Sequence, residues 1–276
     1  MKRRREMIRG RYLLKTATGL MLLLFIVSAP CFGVQKNKDN SSRETMIISG
    51  HPNYPPFMWK QGETIKGAGV DLIKLICNEL EIPFEIKWGG PWQRVQTLAK
   101  SGSLDFIVGI YSNEDRKKFL DYTVPYMPDP TSITVLKDKT FEYKERVDLI
   151  GKIGVTIHGD SFGQDLDDFI KTKLNVKRAY TVDAIFKNLI AGRVEYVLWG
   201  YYPTIINGSE EGVFDKIRIL EPPVVTENMY MAFSKKSPFK KYLQEVNTVI
   251  ERYKADGTIA MIVERNLSIY NAKRKN

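Results

Sequence analysis

Hydrophobic positions after Thr45 switch repeatedly between two spacings along the chain. Short apolar runs, such as 45–50 and 104–109, are typical of buried strands. The segment 70–80 repeats its apolar residues at helical spacing, and 91–102 has a proline near its start and a glycine at its end, as helices often do. The alternation predicts an α/β protein with largely parallel sheets.

One sequence pattern occurs twice, at 98–109 and 189–200. It consists of a helix end, a glycine turn and a buried strand that ends in glycine. Two such units suggest two similar lobes. Because any α/β protein contains helix–glycine–strand units, the repetition alone also fits one larger domain. The remaining pattern predicts a strand over 224–236, an amphipathic helix over 237–257 and a last short helix.

The N-terminal segment 1–33 has the features of a secretory signal peptide. A basic leader precedes an uncharged apolar stretch over 16–33, which favours export to the periplasm over a retained membrane anchor. Cys31 raises the alternative of a lipid anchor, but Pro30 before it makes a poor processing site. The polar segment 34–43 is interpreted as a tether.

Charge and cysteine content change this picture little. The formal net charge of the whole chain is +10, but the leader carries seven basic residues and one acidic residue, so the charge is +4 without it. The basic balance therefore belongs largely to the leader, and we expect no nucleic-acid partner. Only Cys77 remains after the leader, so no internal disulfide can form. The residues beyond the leader and the tether, about 230, suffice for one large or two modest domains.

Several segments occur in an order that resembles one family of proteins. They are YPPF at 54–57, GVDLI at 69–73, SGSLDFIVGIYSNEDRKKFLDYTVPY at 101–126, GKIGVTIHGDS at 151–161, AGRVEYVLWG at 191–200 and ERYKADGTIAMIVERN at 251–266. In this order, along nearly the whole mature chain, the sequence resembles the family 3 extracellular solute-binding proteins, the periplasmic receptors of polar amino-acid uptake.

The resemblance implies a two-lobed periplasmic-binding-protein fold of type II, in which two crossing strands act as the hinge. Lobe one would comprise 44–128 and 226–276, and lobe two 129–225. The ligand would bind in the cleft between the lobes, and closure would be a hinge motion.

Arg116 matches the family's arginine that binds the α-carboxylate of the ligand. A planar guanidinium offers two parallel donors to a carboxylate and stays charged. Backbone N–H groups of the turn from Tyr111 to Asn113 could add donors, although Asn113 stands where the family has Ser or Thr. The alternative is a surface ion pair of Arg116 with a neighbouring carboxylate.

The resemblance implies further ligand contacts. Tyr54 and Trp92 would flank the ligand's side chain, the alternative being core packing. Ser161 would face the ligand from the second lobe, or simply cap its helix. The predicted ligand-binding set is Tyr54, Trp92, Gly109, Tyr111, Asn113, Arg116, Ser161 and Trp199.

Gly200 is the largest departure from the family pattern. Receptors of this family usually carry an aspartate there, which holds the ammonium group of an amino acid. Its absence favours a carboxylate-bearing ligand over an α-amino acid in particular.

The sequence therefore predicts an exported solute-binding protein that captures a small carboxylate-containing solute, an amino acid or a related metabolite. It would act as a monomer without a cofactor or metal, and would serve an ABC permease or a membrane sensor. The alternative is a dehydratase-like enzyme on the same fold. No pair of acidic residues, nucleophile with a base, or metal-spaced cluster supports that alternative, and turnover of a solute would distinguish the two.

Overall fold

The computed structural model describes residues 44–273, so the predicted signal peptide and tether lie outside the described residues. The strands are β1 Met46–Ser49, β2 Asn53–Tyr54, β3 Met58–Gln61, β4 Thr64–Lys66, β5 Phe84–Ile86, β6 Phe106–Ile110, β7 Leu120–Tyr122, β8 Met127–Leu136, β9 Ile153–Ile157, β10 Asn175–Ala179, β11 Tyr196–Gly200 and β12 Ile217–Ser234. The helices are α1 Ala68–Glu79, α2 Trp92–Ser101, α3 Glu114–Lys117, α4 Gln164–Lys173, α5 Val182–Ile190, α6 Tyr201–Glu210, α7 Leu243–Ala255 and α8 Thr258–Lys273. Across this range, none of the helices combines the length and the apolar character needed to span a bilayer.

The main sheet has the strand order β10-β9-β11-β8-β12-β6-β1-β5, and β7 pairs with β12. β1 is parallel to β5 and β6, and β9 is parallel to β10 and β11. In this strand order, the long strands β8 and β12 join the two parallel groups. The predicted two-lobed α/β fold is confirmed, with a first lobe built on β1, β5, β6 and β7 and a second lobe built on β9, β10 and β11.

β8 and β12 are the strands that cross between the lobes. They pair with each other in antiparallel fashion, and their register shifts between Leu220 and Val225. The last residues of β12 then pair with β6 and β7 of the first lobe. Both predicted crossings lie in these two strands; the predicted lobe boundaries at 128/129 and 225/226 stay a prediction.

The structure contains both predicted helix–glycine–strand units. α2 ends before Gly102 and α5 ends shortly before Gly192, and these glycines have φ values of 84° and 66°. A left-handed glycine commonly ends a helix because it has no Cβ to clash. The strands that follow, β6 and β11, are buried along their whole length, and they lead the chain to the gap between the lobes.

The predicted start of a helix at Asp160 or Ser161 is wrong. α4 begins at Gln164, and the Asp167 carboxylate in its first turn accepts hydrogen bonds from the Phe162 N–H, at 2.8 Å, and from the Ser161 hydroxyl. These bonds hold the chain before α4 in a turn, so Ser161 precedes the helix and faces Asn113 of the first lobe.

A small sheet and helix α6 are among the elements that were not predicted. The aromatic segment after β1 forms a small antiparallel sheet of β2, β3 and β4, whose strands of two to four residues are too short for an alternating pattern to be recognised. α6 follows β11 directly and has no side-chain cap at its start. Both elements bring aromatic residues to the region between the lobes.

Candidate functional site

A small cavity of about 30 Å³ lies between the two lobes. Six predicted residues line it, namely Tyr54, Trp92, Gly109, Tyr111, Arg116 and Ser161. Six others were not predicted, namely His51, Met58, Ile110, Asp160, Phe162 and Met229. The two groups come from both lobes and from β12, so the cavity lies where the sequence places the ligand.

The lobes are closed around this cavity. A volume of about 30 Å³ has room for one or two water molecules, far less than the several hundred Å³ of a typical ligand pocket. A wider polar groove of about 790 Å³ lies on the other side of Arg116, between α2 and α4. Arg116, Asp160 and Ser161 line both spaces, so a solute entering from the groove meets these residues as the lobes separate.

Arg116 is positioned by its own short helix. The Asn113 side chain caps α3 by accepting a hydrogen bond from the Arg116 N–H at 2.9 Å. This cap turns the arginine side chain back beneath the helix, where it is only 5% exposed. Sequence reasoning identified this residue, and the alternative of an exposed surface ion pair is wrong.

The guanidinium of Arg116 bonds only to neutral acceptors. Nε donates to Gln96 Oε1 at 3.1 Å, Nη1 to the Tyr111 carbonyl at 2.8 Å and Nη2 to the Gly159 carbonyl at 3.0 Å. Because a guanidinium has five N–H groups, each terminal nitrogen retains one further donor. Among the described residues no carboxylate forms an ion pair with Arg116, and burial lowers the pKa of this arginine. The site therefore contains a buried cation with spare donors.

Further hydrogen bonds connect the lobes beside Arg116. Asn113 Nδ2 donates to Ser161 Oγ at 2.9 Å and to Asp167 Oδ2 at 3.3 Å. Gln96 Nε2 donates to the Gly159 carbonyl at 3.1 Å, the same acceptor that Arg116 uses. Asn113 thus lines the groove and joins the lobes, and it does not line the small cavity.

His51 and Trp92 form one wall of the cavity. Their rings lie 5.1 Å apart, and the Arg116 guanidinium carbon lies 5.7 Å from the Trp92 ring centre. His51 Nδ1 accepts a hydrogen bond from the Asn53 N–H, which places the ring proton on Nε2. That atom lies 3.4 Å from Asp160 Oδ1 of the second lobe but lacks hydrogen-bond geometry to it. The histidine therefore faces a carboxylate across the gap.

A buried carboxyl group lies behind two of the predicted tyrosines. Asp129, on β8, is 0% exposed, and its Oδ2 accepts hydrogen bonds from the hydroxyls of Tyr54, at 2.8 Å, and Tyr111, at 2.6 Å. The two hydroxyls are 3.0 Å apart, and Asp129 Oδ1 has no partner. Burial raises the pKa of Asp129 to about 6, although both tyrosine hydrogen bonds act in the opposite direction.

Two glycines at this site cannot carry a side chain without displacing a neighbour. A Cβ at Gly200 would overlap the Tyr54 hydroxyl, and a Cβ at Gly109 would overlap the end of Met58. The position where the family usually has an aspartate is therefore filled by the Tyr54 ring, which reaches Asp129 instead. The departure at Gly200 is thus coupled to the Tyr54–Asp129 hydrogen bond.

Gly200→Ala is expected to lower the free energy of unfolding by about 1–2 kcal/mol, because the added methyl group overpacks the Tyr54 ring. Gly208→Ala is the matched control: its Cβ would lie 3.1 Å from the flexible end of Ile217, and it is in the interior of α6, where alanine is the better helix former. Urea denaturation measures both variants. Equal free energies of unfolding for the Gly200→Ala and Gly208→Ala variants would contradict the overlap with Tyr54.

Trp199 is not part of the cavity lining. Its side chain is fully buried, and its ring contacts that of Tyr54 edge-on with 6.3 Å between centres. Sequence reasoning missed His51 and Asp129. The signal for Asp129 is its place between two prolines in the first crossing strand, where a charged residue in a buried β-strand is unusual. No cluster of potential metal ligands occurs among the described residues.

The sequence model of the bacterial extracellular solute-binding proteins, family 3, matches residues 46–268. The probable amino-acid-binding protein YxeM of Bacillus subtilis is 23% identical over 248 residues, which cover 88% of this chain and 90% of that protein.

Two solved structures are similar to the described fold. A mutant of ArgBP from T. maritima has a TM-score of 0.68 and 23% identity, with coverage of 82% of this chain and 96% of that chain. The amino acid ABC transporter substrate-binding protein AbpA from Streptococcus pneumoniae, bound to L-arginine, has a TM-score of 0.68 and 18% identity, with the same coverage. At these identities the structures show the fold alone.

Proposed function

The chain belongs to the bacterial extracellular solute-binding proteins, family 3, and we propose that it captures a small carboxylate-bearing solute of the amino-acid class between its lobes. It holds the solute without chemical turnover and presents it, as a monomer, to an ABC permease or a membrane sensor. Residues 1–33 direct its export to the periplasm, and the lobes divide at the crossing strands near 128/129 and 225/226.

One observation carries this proposal, namely the environment of Arg116. A buried cation that bonds only to neutral oxygens has lost hydration without gaining a directly paired anion, although the carboxylates of Asp160 and Asp167 lie near enough to stabilise it. A carboxylate on its two spare donors supplies that direct partner. The same guanidinium bonds to Gly159 of the second lobe, so a solute held there contacts the residues on which closure depends.

The similar proteins support the amino-acid class. YxeM is described as a probable amino-acid-binding protein, and AbpA is described as an amino acid ABC transporter substrate-binding protein bound to L-arginine. In this chain Trp92 and Tyr54 would contact the solute's side chain, and Ser161 would face it from the second lobe. Trp199 contributes only by packing against Tyr54.

The dehydratase-like alternative needs an acid that reaches the solute. Burial raises the pKa of Asp129 to about 6, but this carboxyl group lies behind Tyr54 and Tyr111 and does not line the cavity. Asp160 does line the cavity, where its carboxylate faces His51. Asp129 could exchange a proton with a solute only through a tyrosine hydroxyl, which favours binding without turnover.

We expect at least one carboxylate in a panel of the common L-amino acids, dicarboxylates and short peptides to raise the melting temperature by about 5 °C or more when it is present at about 100 times its dissociation constant. A solute that binds only the folded state must stabilise it. Nuclear magnetic resonance of the panel mixture, before and after incubation, checks for turnover. The absence of any shift would contradict the proposal, and consumption of a stabilising solute would favour the enzyme.

A further inference from the structure

The side-chain oxygens of Tyr54, Tyr111 and Asp129 form a hydrogen-bonded ring with three oxygen–oxygen contacts. The number of protons available to these contacts depends on whether Asp129 is protonated. The contacts are 2.8 Å and 2.6 Å to the same carboxyl oxygen and 3.0 Å between the two hydroxyls. Each phenol supplies one proton. With Asp129 protonated on that oxygen, three protons serve three contacts and every oxygen donates once and accepts once.

With Asp129 ionised, only two protons remain. Both hydroxyls then donate to the carboxylate, and the 3.0 Å contact joins two phenol oxygens with no proton between them. Their lone pairs then require an external donor, and both tyrosines line the cavity between the lobes. The hydrogen bonding of these three side chains is therefore satisfied in either of two ways. Asp129 is protonated, or Asp129 is ionised and a donor in the cavity bonds to the tyrosine oxygens.

We propose that Tyr54, Tyr111 and Asp129 form the binding site for a cationic amino group of the solute, in which the two phenol oxygens accept its N–H donors and the buried carboxylate supplies the counter-charge. This inference rests on the proposed function and makes the preferred solute an α-amino acid. Arg116 at the same cavity takes the carboxylate, so the two buried groups are complementary to a zwitterion.

The surroundings of Asp129 support this assignment. Within the described residues no Lys, Arg or His forms an ion pair with it, and its Oδ1 has no hydrogen-bond partner. The titratable groups that face it are tyrosines on four different segments, namely Tyr54, Tyr111, Tyr126 and Tyr202. A buried carboxylate without a cation is costly, and a captured ammonium group supplies one.

Gly200 agrees with the same arrangement. A side chain at this position would overlap the Tyr54 hydroxyl, so the hydrogen-bonded ring and an aspartate at position 200 exclude each other. The counter-charge is thus moved from the end of β11 to β8, and the sequence-based preference against an α-amino acid does not follow from the missing aspartate.

Binding of the amino group is coupled to a proton. When an ammonium group occupies the ring, the Asp129 proton leaves to solvent, and the charge of the site is balanced by the ligand instead. Affinity for an amino acid should therefore rise with pH until Asp129 is ionised without ligand, whereas affinity for the same acid lacking its amino group should not.

The test is isothermal titration calorimetry of the mature protein with four matched pairs. The probes are L-alanine and propanoate, L-phenylalanine and phenylpropanoate, L-glutamate and glutarate, and L-arginine and guanidinovalerate. In the wild type, each amino acid that binds should bind about tenfold or more tightly than its partner, and this ratio should grow between about pH 5 and about pH 7.

Asp129→Asn keeps the shape and removes the charge. It should weaken amino-acid binding about tenfold or more, and change binding of the acids lacking the amino group by less than about threefold. Tyr111→Phe, which removes one acceptor, should act in the same direction and serves if Asp129→Asn does not fold. Tyr196→Phe is the matched control, because it removes a buried tyrosine hydroxyl that has no hydrogen-bond partner among the described residues and neither lines the cavity nor faces Asp129, and it should leave the ratio unchanged.

The outcomes separate the inference from the proposed function. Equal binding within a pair by the wild type, or an unchanged ratio in both Asp129→Asn and Tyr111→Phe, overturns the inference and leaves a carboxylate-binding protein. Binding of none of the eight probes, together with no stabilising solute in the wider panel, overturns the proposed function and the inference with it.

Discussion

Replacing Arg116 with alanine is expected to weaken binding of every carboxylate that stabilises the wild type by about 100-fold or more. The substitution removes the buried cation and both spare donors that a carboxylate would use. It also removes the hydrogen bond from the first lobe to the Gly159 carbonyl, so the closed arrangement loses one of its connections. Calorimetric titration with the solute that gives the largest thermal shift measures the loss.

Two variants make this result specific. Arg94→Ala removes an exposed arginine from α2 and should leave the affinity unchanged. Arg116→Lys keeps the charge but cannot offer the planar pair of donors, and its affinity should lie between those of the wild type and the alanine variant. The unliganded melting temperature of each variant shows whether folding is affected. Full affinity of a folded Arg116→Ala variant is incompatible with the proposed site.

Acidification from about pH 7 to about pH 4 is expected to raise the free energy of unfolding of the unliganded wild type, relative to that of Asp129→Asn, by about 2–3 kcal/mol. Burial raises the pKa of Asp129 from the ordinary value of 3.8 to about 6 in the folded protein. In this range the folded state binds more protons at Asp129 than the unfolded state does. The contribution of Asp129 to stability is therefore greatest below pH 3.8 and is lost as the pH rises to about 6.

Urea denaturation at several pH values measures this effect. The difference between the wild type and Asp129→Asn is informative because the other titratable groups are common to both proteins and cancel. A difference that does not change with pH, or that grows in the opposite direction, would show that Asp129 is ionised in the folded state over the whole range.

Much of the fold followed from local patterns in the sequence. α2 could be predicted because Pro91 and Gly102 bound an amphipathic segment, and β11 because a glycine turn precedes an apolar run. α4 was placed too early because Asp160 and Ser161 look like caps, whereas Asp167 holds that turn through side-chain hydrogen bonds. Such bonds depend on the folded turn and leave no periodic signal.

The candidate site could be predicted only in part. Arg116, Tyr54 and Trp92 were found through resemblance to a family, and the structure brings them to one cavity. Asp129 was missed because its partners are 75 and 18 positions away in sequence. Gly200 could be recognised as a departure, but its reason, the Tyr54 ring, is visible only in three dimensions.

The closed lobes determine how a solute would be captured. Arg116, Gln96 and Asn113 of the first lobe all donate to groups on the loop or helix start of the second lobe. A solute cannot enter a cavity of about 30 Å³ without breaking some of these bonds. Motion at the crossing strands β8 and β12 would open the lobes, and the carboxylate would compete for the donors that hold them shut.

The position of a bound solute tests this account most directly. A crystal structure of the protein with the amino acid that binds it most tightly should show the carboxylate within hydrogen-bond distance of both terminal nitrogens of Arg116, enclosed by the two lobes. A solute bound elsewhere, or oriented with its carboxylate away from Arg116, would contradict the account.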